Sequence, residues 1–435
     1  MTEAGHHAAF VFNSLKVSPA MAFDPRQLTQ LAAEHGTPLW VYDAAVIRER
    51  ISQLRRFDTI RYAQKACSNL HILRLMRAEG AMVDAVSLGE IERSLAAGFQ
   101  PQGEPEGIVF TADLIDHATL AVVLKHGITV NAGSLDMLAR VGQASPGHRV
   151  WLRINPGFGH GHSNKTNTGG PQSKHGIWIG DVAEAMSIVR RHGLKLVGIH
   201  MHIGSGVDYG HLSSVCDAMV DVVASLDHDI EAISAGGGLS IPYREGDARI
   251  DCDHYFEQWD AARKRIAERL GHDIRLEIEP GRFLVAEAGA LVSEVHSINR
   301  RPERDFALVD AGFNDLMRPA MYGSYHRISV HAPDGSRPQG AADTRIAVAG
   351  PLCESGDVFT QDAGGVVSDQ LLPKPRIGDF LVFHDAGAYG SSMSSNYNSR
   401  PLAPEVLLDN GGARLIRRRQ TIGELLALEE TASGA

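Results

Sequence analysis

Across the first two-thirds of the chain, short runs of apolar and β-branched residues take turns with longer stretches whose apolar positions recur every three or four residues. The short runs fall at 59–64, 82–86, 107–111, 128–131, 150–154, 196–202, 231–235 and 274–279, and the stretches between them mostly carry helical spacing. The stretch from Leu114 to Lys125, for example, predicts a helix with Leu114, Ala118, Ala121 and Val122 on one stripe and Gly127 as its stop. Strands in rotation with helices predict a parallel sheet, and eight units over about 230 residues match a closed (β/α)8 TIM-type barrel. An open doubly wound sheet competes, but the glycine run Gly236, Gly237, Gly238 follows the seventh strand rather than the first, and no GxGxxG fingerprint is present.

From about residue 290 the pattern changes to β-branched and apolar runs at 306–309, 345–348, 380–383, 405–408 and 413–416, divided by Gly, Pro and Asp. These predict a β-rich second domain of barrel or sandwich type. Residues 38–42, Pro-Leu-Trp-Val-Tyr, read as a strand ahead of the barrel that pairs with that second domain. The expected division is 46–288 for the barrel, with 22–45 and 289–425 forming a domain that completes the active site. The segment 157–176, rich in Gly, Asn, His and Ser, reads as a long loop after the fifth strand.

Composition removes several function classes. A formal net charge of -10, with no Lys/Arg cluster beyond Arg417, Arg418 and Arg419, argues against a nucleic-acid partner. Cys67, Cys216, Cys252 and Cys353 are scattered without a CxxC pair, as expected for reduced thiols in the cytoplasm rather than for disulfides or a zinc framework. No apolar run reaches membrane-spanning length, and the first residues, with Glu3 and two adjacent histidines, lack the apolar core of a secretory leader. A cytoplasmic protein with no membrane partner is expected.

In a barrel of this kind the loops at the C-terminal strand ends build the active site. Lys65 ends the first strand. Lysines are ordinarily surface residues, but Tyr62, Ala63, Ala66 and Cys67 make the surroundings apolar. Partial burial favours the neutral amine, the form that attacks an aldehyde to give a Schiff base. Glu279 ends the eighth strand after Leu276 and Ile278, where a carboxylate needs a partner. That partner is either a cofactor pyridinium or an arginine, Arg282 or another. An amine facing a carboxylate across one rim points to pyridoxal phosphate chemistry. Gly236, Gly237 and Gly238, with Gly281, offer a phosphate close approach to backbone N–H groups, although a glycine triplet alone is equally a tight turn. His200 and His202 share one face of the sixth strand. They read either as an HxH metal pair or as an imidazole packed on a cofactor ring, with Ser205 reaching the phosphate. The acidic ligands that a metal needs do not appear at the other strand ends, so no metal is expected. His160, His162 and His175 read as loop polar groups without acidic partners nearby in sequence.

The runs 62–69, 200–206, 236–238, 279–282, 310–326, 350–357 and 385–389 together make the chain resemble the barrel-type, fold type III pyridoxal-phosphate decarboxylases. The second domain narrows the resemblance to the diaminopimelate decarboxylases, over about Thr37 to Leu425. The resemblance implies pyridoxal 5'-phosphate as cofactor and conversion of meso-2,6-diaminopimelate to L-lysine and CO2, the last step of lysine biosynthesis. It implies that Lys65 carries the cofactor, Glu279 holds the pyridine nitrogen, and His202 stacks on the ring. Ser205, Gly238, Gly281, Arg282 and Tyr389 would surround the phosphate. Arg282, Arg318, Tyr322 and Tyr389 would bind substrate. Cys353, as proton donor, and Glu354, as binder of the distal amine, would come from the partner subunit of a homodimer with a shared active site.

Side-chain chemistry agrees with part of this. A substrate with a second amino-carboxylate end needs a bidentate cation and an acidic group, which Arg318 with Arg282, and Glu354, provide. The competing uses are a second-domain ion pair for Arg318 and a small buried hydrophobe for Cys353. Three features depart from the usual family pattern: Thr111, Ala112, Asp113 after the third strand, the longer fifth loop, and His175 in place of an aromatic. They bear on loop contacts and regulation. The alternatives are a related decarboxylase of ornithine or arginine type, a metal-dependent barrel hydrolase, and a catalytically silent binding protein.

Overall fold

The structure, a computed structural model, describes residues 23–159, 169–202 and 209–430. A helix, Pro25–His35, buries Leu28, Leu31 and Ala32, and it leads into strand β1 (Leu39–Asp43). The strand expected at 38–42 is present as β1, and the helix ahead of it was not anticipated. Its apolar face packs with Phe23, Leu39, Val41 and Val292 in a small core apart from that of the barrel.

The barrel strands are β2 (Thr59–Ala63), β3 (Met82–Ala85), β4 (Ile108–Ala112), β5 (Thr129–Ala132) and β6 (Arg149–Asn155). After the two-residue β7 (Ile177–Trp178), which pairs with the end of β6, come β8 (Lys195–His200), β9 (Ala232–Ser234) and β10 (Arg275–Ile278). Neighbours are parallel throughout, and β10 pairs with β2, so β2 to β6 with β8, β9 and β10 close an eight-stranded barrel. Strand β2 is buried along its whole length, as a parallel strand with helices outside and a filled interior must be. Side-chain caps start the helices that follow: Asn69, Ser87, Asp116 and Ser134 each accept a backbone N–H two or three residues on.

The predicted helix from Leu114 needs correction. Asp116 accepts the Thr119 N–H at 2.7 Å, so the helix runs His117–His126 and leaves Leu114 in the preceding loop, 72% exposed. Its buried face is Thr119, Leu120 and Val123, and Gly127 ends it in the left-handed region at φ 62°.

The second sheet is mixed. Its central strand, β11 (Gly289–Arg300), pairs with β1, with β12 (Asp305–Val309) and with β16 (Phe380–Phe383). The sheet also holds β13 (Ile328–His331), β14 (Asp343–Ala349), β15 (Gln370–Pro373), β17 (Glu405–Asp409) and β18 (Gly412–Arg417). Strand β1 lies between β11, antiparallel, and β17, parallel. Strands β11, β13 and β15 were not anticipated, since polar residues such as Glu294, His296 and Ser329 interrupt their apolar pattern. The segment after β16 reaches the barrel rim, where Tyr389 N–H and Ser392 Oγ–H donate to the Ala66 carbonyl at 2.8 and 3.0 Å.

Candidate active site

Lys65 sits in a single 3-10 turn, Gln64–Ala66, directly after β2. The turn is anchored by Gln64, whose buried amide donates to Ser94 Oγ at 2.8 Å and to the Glu90 carbonyl at 3.2 Å. Ala63, Ala66 and Cys67 are buried as expected, but the lysine itself is exposed, projecting into a cavity of about 440 Å³ at the C-terminal end of the barrel. The expected partial burial of this side chain is therefore corrected. The anchored turn fixes the backbone and leaves the amine open to the cavity.

Glu279 faces Lys65 from the residue after β10, and it is 8% exposed. Its partner is neither Arg282 nor any other arginine. His200 Nε2 donates to Glu279 Oε2 at 2.7 Å. Burial pushes the Glu279 carboxyl up, but the charge and hydrogen bond of His200, with Arg153 behind, outweigh it and hold the group below the usual carboxylate range. The two imidazoles stack in parallel, with centroids 6.5 Å apart and planes 5° from coplanar directions. His202 Nδ1 accepts the Gly237 N–H at 2.7 Å, and burial, then Arg153 and Lys65, keep this imidazole neutral.

The glycine turn allows no side chain. A Cβ on Gly236 would stand 2.3 Å from the Met201 carbonyl oxygen, and one on Gly237 2.5 Å from that of Glu279. The N–H groups of Gly236 and Gly237 are committed to Ser234 Oγ and His202 Nδ1, so the donor facing an anion narrows to Gly238, which lines the cavity at φ 109°. Gly281 lines it too, with a built Cβ 3.2 Å from the Ala63 carbonyl oxygen.

Arg282 from the barrel rim and Arg318, Tyr322 and Tyr389 from the second domain line the same cavity. Arg282 Nη1 donates to Tyr243 Oη at 2.7 Å, and its guanidinium lies 5.0 Å from the Tyr389 ring centroid. Arg318 lies 4.9 Å from the Tyr243 centroid. Among the described residues Arg318 makes no second-domain ion pair; its Nη1 instead lies 3.0 Å from His326 Nε2.

Among the cavity residues that escaped the sequence reading are Asp84, Arg153 and Tyr243. Asp84 and Arg153 lie near the C-terminal ends of β3 and β6, so the rule that singled out Lys65 applies equally to them. Burial, then the charge of Glu279, raises the Asp84 carboxyl well above its usual range, which favours its protonated form. Tyr243 lies in a loop and gave no signal.

Cys353 and Glu354 are exposed and do not line this cavity. Exposure excludes the buried-hydrophobe reading of Cys353. The loop carrying both is pinned by Asp357, whose carboxylate accepts from the Phe313 and Leu352 N–H groups at 2.7 Å each. Ser205, His160 and His162 lie outside the described residues. His175 meets an acidic partner distant in sequence: its Nδ1 bonds Asp113 Oδ2, and Gly176 N–H donates to Asp113 Oδ1 at 3.0 Å. Two of the departures from the family pattern thus answer each other. Among the described residues, no cluster of three or more His, Cys, Asp or Glu is placed to hold a metal, and no helix is long and apolar enough to cross a membrane.

The donor set fits pyridoxal 5'-phosphate. An accessible amine suits its aldehyde, an imidazole-bound carboxylate its ring nitrogen, and a glycine turn without room for a Cβ its phosphate. Arg282 Nε and Asp84 Oδ1, both buried, have no partner among the described residues and remain to be satisfied.

Residues 44–286 match the family described as pyridoxal-dependent decarboxylase, pyridoxal binding domain. The diaminopimelate decarboxylase of Escherichia coli K12 is 65% identical over 402 residues, covering 92% of this chain and 96% of its own. A crystal structure of a diaminopimelate decarboxylase superposes with a TM-score of 0.91 at 64% identity, over 93% of this chain and 96% of that one. The crystal structure of diaminopimelate decarboxylase from M. jannaschii in co-complex with L-lysine gives a TM-score of 0.82 at 30% identity, over 92% of this chain and 94% of that one. By its sequence, its barrel and the groups gathered at the barrel mouth, the chain belongs to the diaminopimelate decarboxylases within the pyridoxal-dependent decarboxylase family.

Proposed function

We propose that this chain is the pyridoxal 5'-phosphate-dependent carboxy-lyase that converts meso-2,6-diaminopimelate to L-lysine and CO2, the last step of lysine biosynthesis. One observation carries the proposal: the Lys65 amine, the His200–Glu279 pair and the guanidinium groups of Arg282 and Arg318 share one cavity of about 440 Å³. Bound pyridoxal phosphate supplies an electron sink for the pair released when the bond from Cα to the carboxylate breaks.

Lys65 would hold the cofactor aldehyde. Glu279, kept ionised by His200, would keep a proton on the ring nitrogen, and His202, fixed by Gly237, would lie against the ring. Ser205, Gly238, Gly281, Arg282 and Tyr389 would take the phosphate. Arg282, Arg318, Tyr322 and Tyr389 would bind the substrate, with the arginines selecting its distal carboxylate. An ornithine- or arginine-type decarboxylase would need an acid where Arg318 stands. Cys353 would return a proton to Cα and Glu354 would bind the distal ammonium, both reaching the cavity from the partner subunit of a homodimer. Their exposure and their position off this chain's own cavity support that assignment. The working division is 46–288 for the cofactor-binding barrel, with 22–45 and 289–425 completing the site. The cytoplasm is the proposed location, in keeping with four unpaired cysteines.

Borohydride reduction of the holoenzyme followed by peptide mass analysis tests the cofactor anchor, and comparison of turnover on meso-diaminopimelate, ornithine and arginine tests the substrate. A fixed adduct on Lys65, lost in Lys65→Ala, and turnover confined to meso-diaminopimelate are expected. An adduct elsewhere removes the anchor, and preference for ornithine or arginine removes the substrate.

A further inference from the structure

Behind Arg318, on the side away from the cavity, stands a buried histidine with no role so far. His326 Nε2 lies 3.0 Å from Arg318 Nη1, and His326 Nδ1 lies 2.9 Å from the backbone carbonyl oxygen of His384. A guanidinium only donates and a carbonyl only accepts. Both contacts are hydrogen bonds in just one state of the ring: neutral, with the proton on Nδ1 and the lone pair of Nε2 facing the arginine. The surroundings favour that state. His326 is 2% exposed, and burial, then the Arg318 charge, pushes its imidazole down to about 3.

Tyr243 completes the mount. Its ring meets His326 edge-on, with centroids 5.8 Å apart and planes at 80°, and its face lies 4.9 Å from the Arg318 guanidinium. Arg318 is thus fixed by a lone pair on one side and an aromatic face on another. Neither neutralises it, and no carboxylate pairs with it among the described residues. Other arginines of this chain are held differently: Arg61 by Glu277 and Arg48 by Glu79 and Asp409, all within hydrogen-bond distance. A carboxylate holding Arg318 from behind would spend the charge that an incoming carboxylate needs. A neutral acceptor orients the group and leaves the charge available.

We propose that His326 is a positioning residue for substrate selection, holding Arg318 toward the distal carboxylate of the substrate without neutralising it. This rests on the assignment of Arg318 to that carboxylate given above. The test uses two inhibitors of the holoenzyme, L-lysine, which keeps the distal carboxylate, and 1,5-diaminopentane, which lacks it. His326→Phe keeps the ring against Tyr243 and removes the acceptor. It is expected to raise the inhibition constant of L-lysine about tenfold, the weight of one hydrogen bond to a charged group, and to leave that of 1,5-diaminopentane within about twofold. His326→Gln returns an acceptor and is expected to recover most of the loss. In an Arg318→Leu background, His326→Phe should weaken L-lysine no further. If His326→Phe does not fold, His326→Leu carries the same expectations.

Equal weakening of both inhibitors, no weakening of either, or additive losses in the double variant would overturn the role of His326. No effect of Arg318→Leu on L-lysine would instead remove the assignment of Arg318 itself.

Discussion

Two glutamates at the end of one strand are buried to a similar degree and do opposite things. Glu277 and Glu279 are two residues apart, so both face the barrel interior, and they are 2% and 8% exposed. Glu277 lies deeper and meets Arg61, whose Nε and Nη2 donate to its Oε2 at 3.1 and 2.8 Å. The Arg61 fork also donates to the Glu106 carbonyl at 2.7 Å, and Glu106 in turn accepts from Thr129 and Arg149. Glu279 meets His200 and opens on the cavity. The difference lies in the partner. An arginine never gives up its proton, so the deep pair is closed and structural. An imidazole is a smaller, titratable partner that leaves one face of the carboxylate free for a ligand.

The largest way to break this contrast is Glu279→Gln. It should lower the decarboxylation rate about 10³-fold, as loss of a group that controls a proton does, with little change in the thermal midpoint. A rate within tenfold of the parent would remove Glu279 from the cofactor. Glu277→Gln should do the reverse. It leaves Arg61 buried with the more distant Glu106 carboxylate, 4.0 Å away, as its remaining ion-pair partner among the described residues, and costs about 3 kcal/mol in denaturant unfolding, while the folded fraction keeps its rate. Replacing both members, Arg61→Met with Glu277→Leu, should restore most of that stability if the deep pair only fills space.

A smaller effect sharpens the point about imidazoles. Burial, then Arg327 and His331, pushes His384 down to about 3, and its Nε2 bonds Ser329 Oγ at 2.8 Å. The folded state resists the proton that the unfolded state takes near pH 6.5. The stability this group contributes is therefore complete above about 6.5 and is lost as pH falls toward 3. By pH 5.5 the loss should reach about 1.4 kcal/mol. His384→Gln should be less acid-sensitive than the parent by that amount in denaturant titrations at pH 7.5 and 5.5, and equal slopes would show that His384 stays neutral in neither state or in both. The smallest effect is expected at the Asp113–His175 pair, which is partly exposed. His175→Phe should change the unfolding free energy by less than about 1 kcal/mol. A larger loss would mean that this contact anchors the loop after β6.

Lys65 and Glu279 were legible because strand ends in a barrel converge, and residue type at a strand end is visible in one dimension. Asp84 and Arg153 obey the same rule and went unread, since a single acid or arginine in a strand resembles the many that serve ion pairs, as Arg61 does. Tyr243 and His326 carry no local mark at all. Their significance comes from lying beside Arg282 and Arg318, which is a matter of how a loop and the second sheet settle on the barrel rim. The hydrogen bond from His200 to Glu279 went unread for the same reason: the two stand 79 residues apart, and only strand order brings them to 2.7 Å.

The sequence by itself determined the eightfold alternation, the barrel it closes into, the glycine turn and the kind of chemistry expected at the rim. These depend on periodicity and on residue types at element ends, which are local quantities. The tertiary structure alone decided which buried charges are closed pairs and which face the cavity, that Lys65 is open rather than half-buried, and that an uncharged imidazole holds Arg318. Hydrogen bonds act over about 3 Å, and what lies within that reach is settled by packing between distant segments rather than by neighbours along the chain.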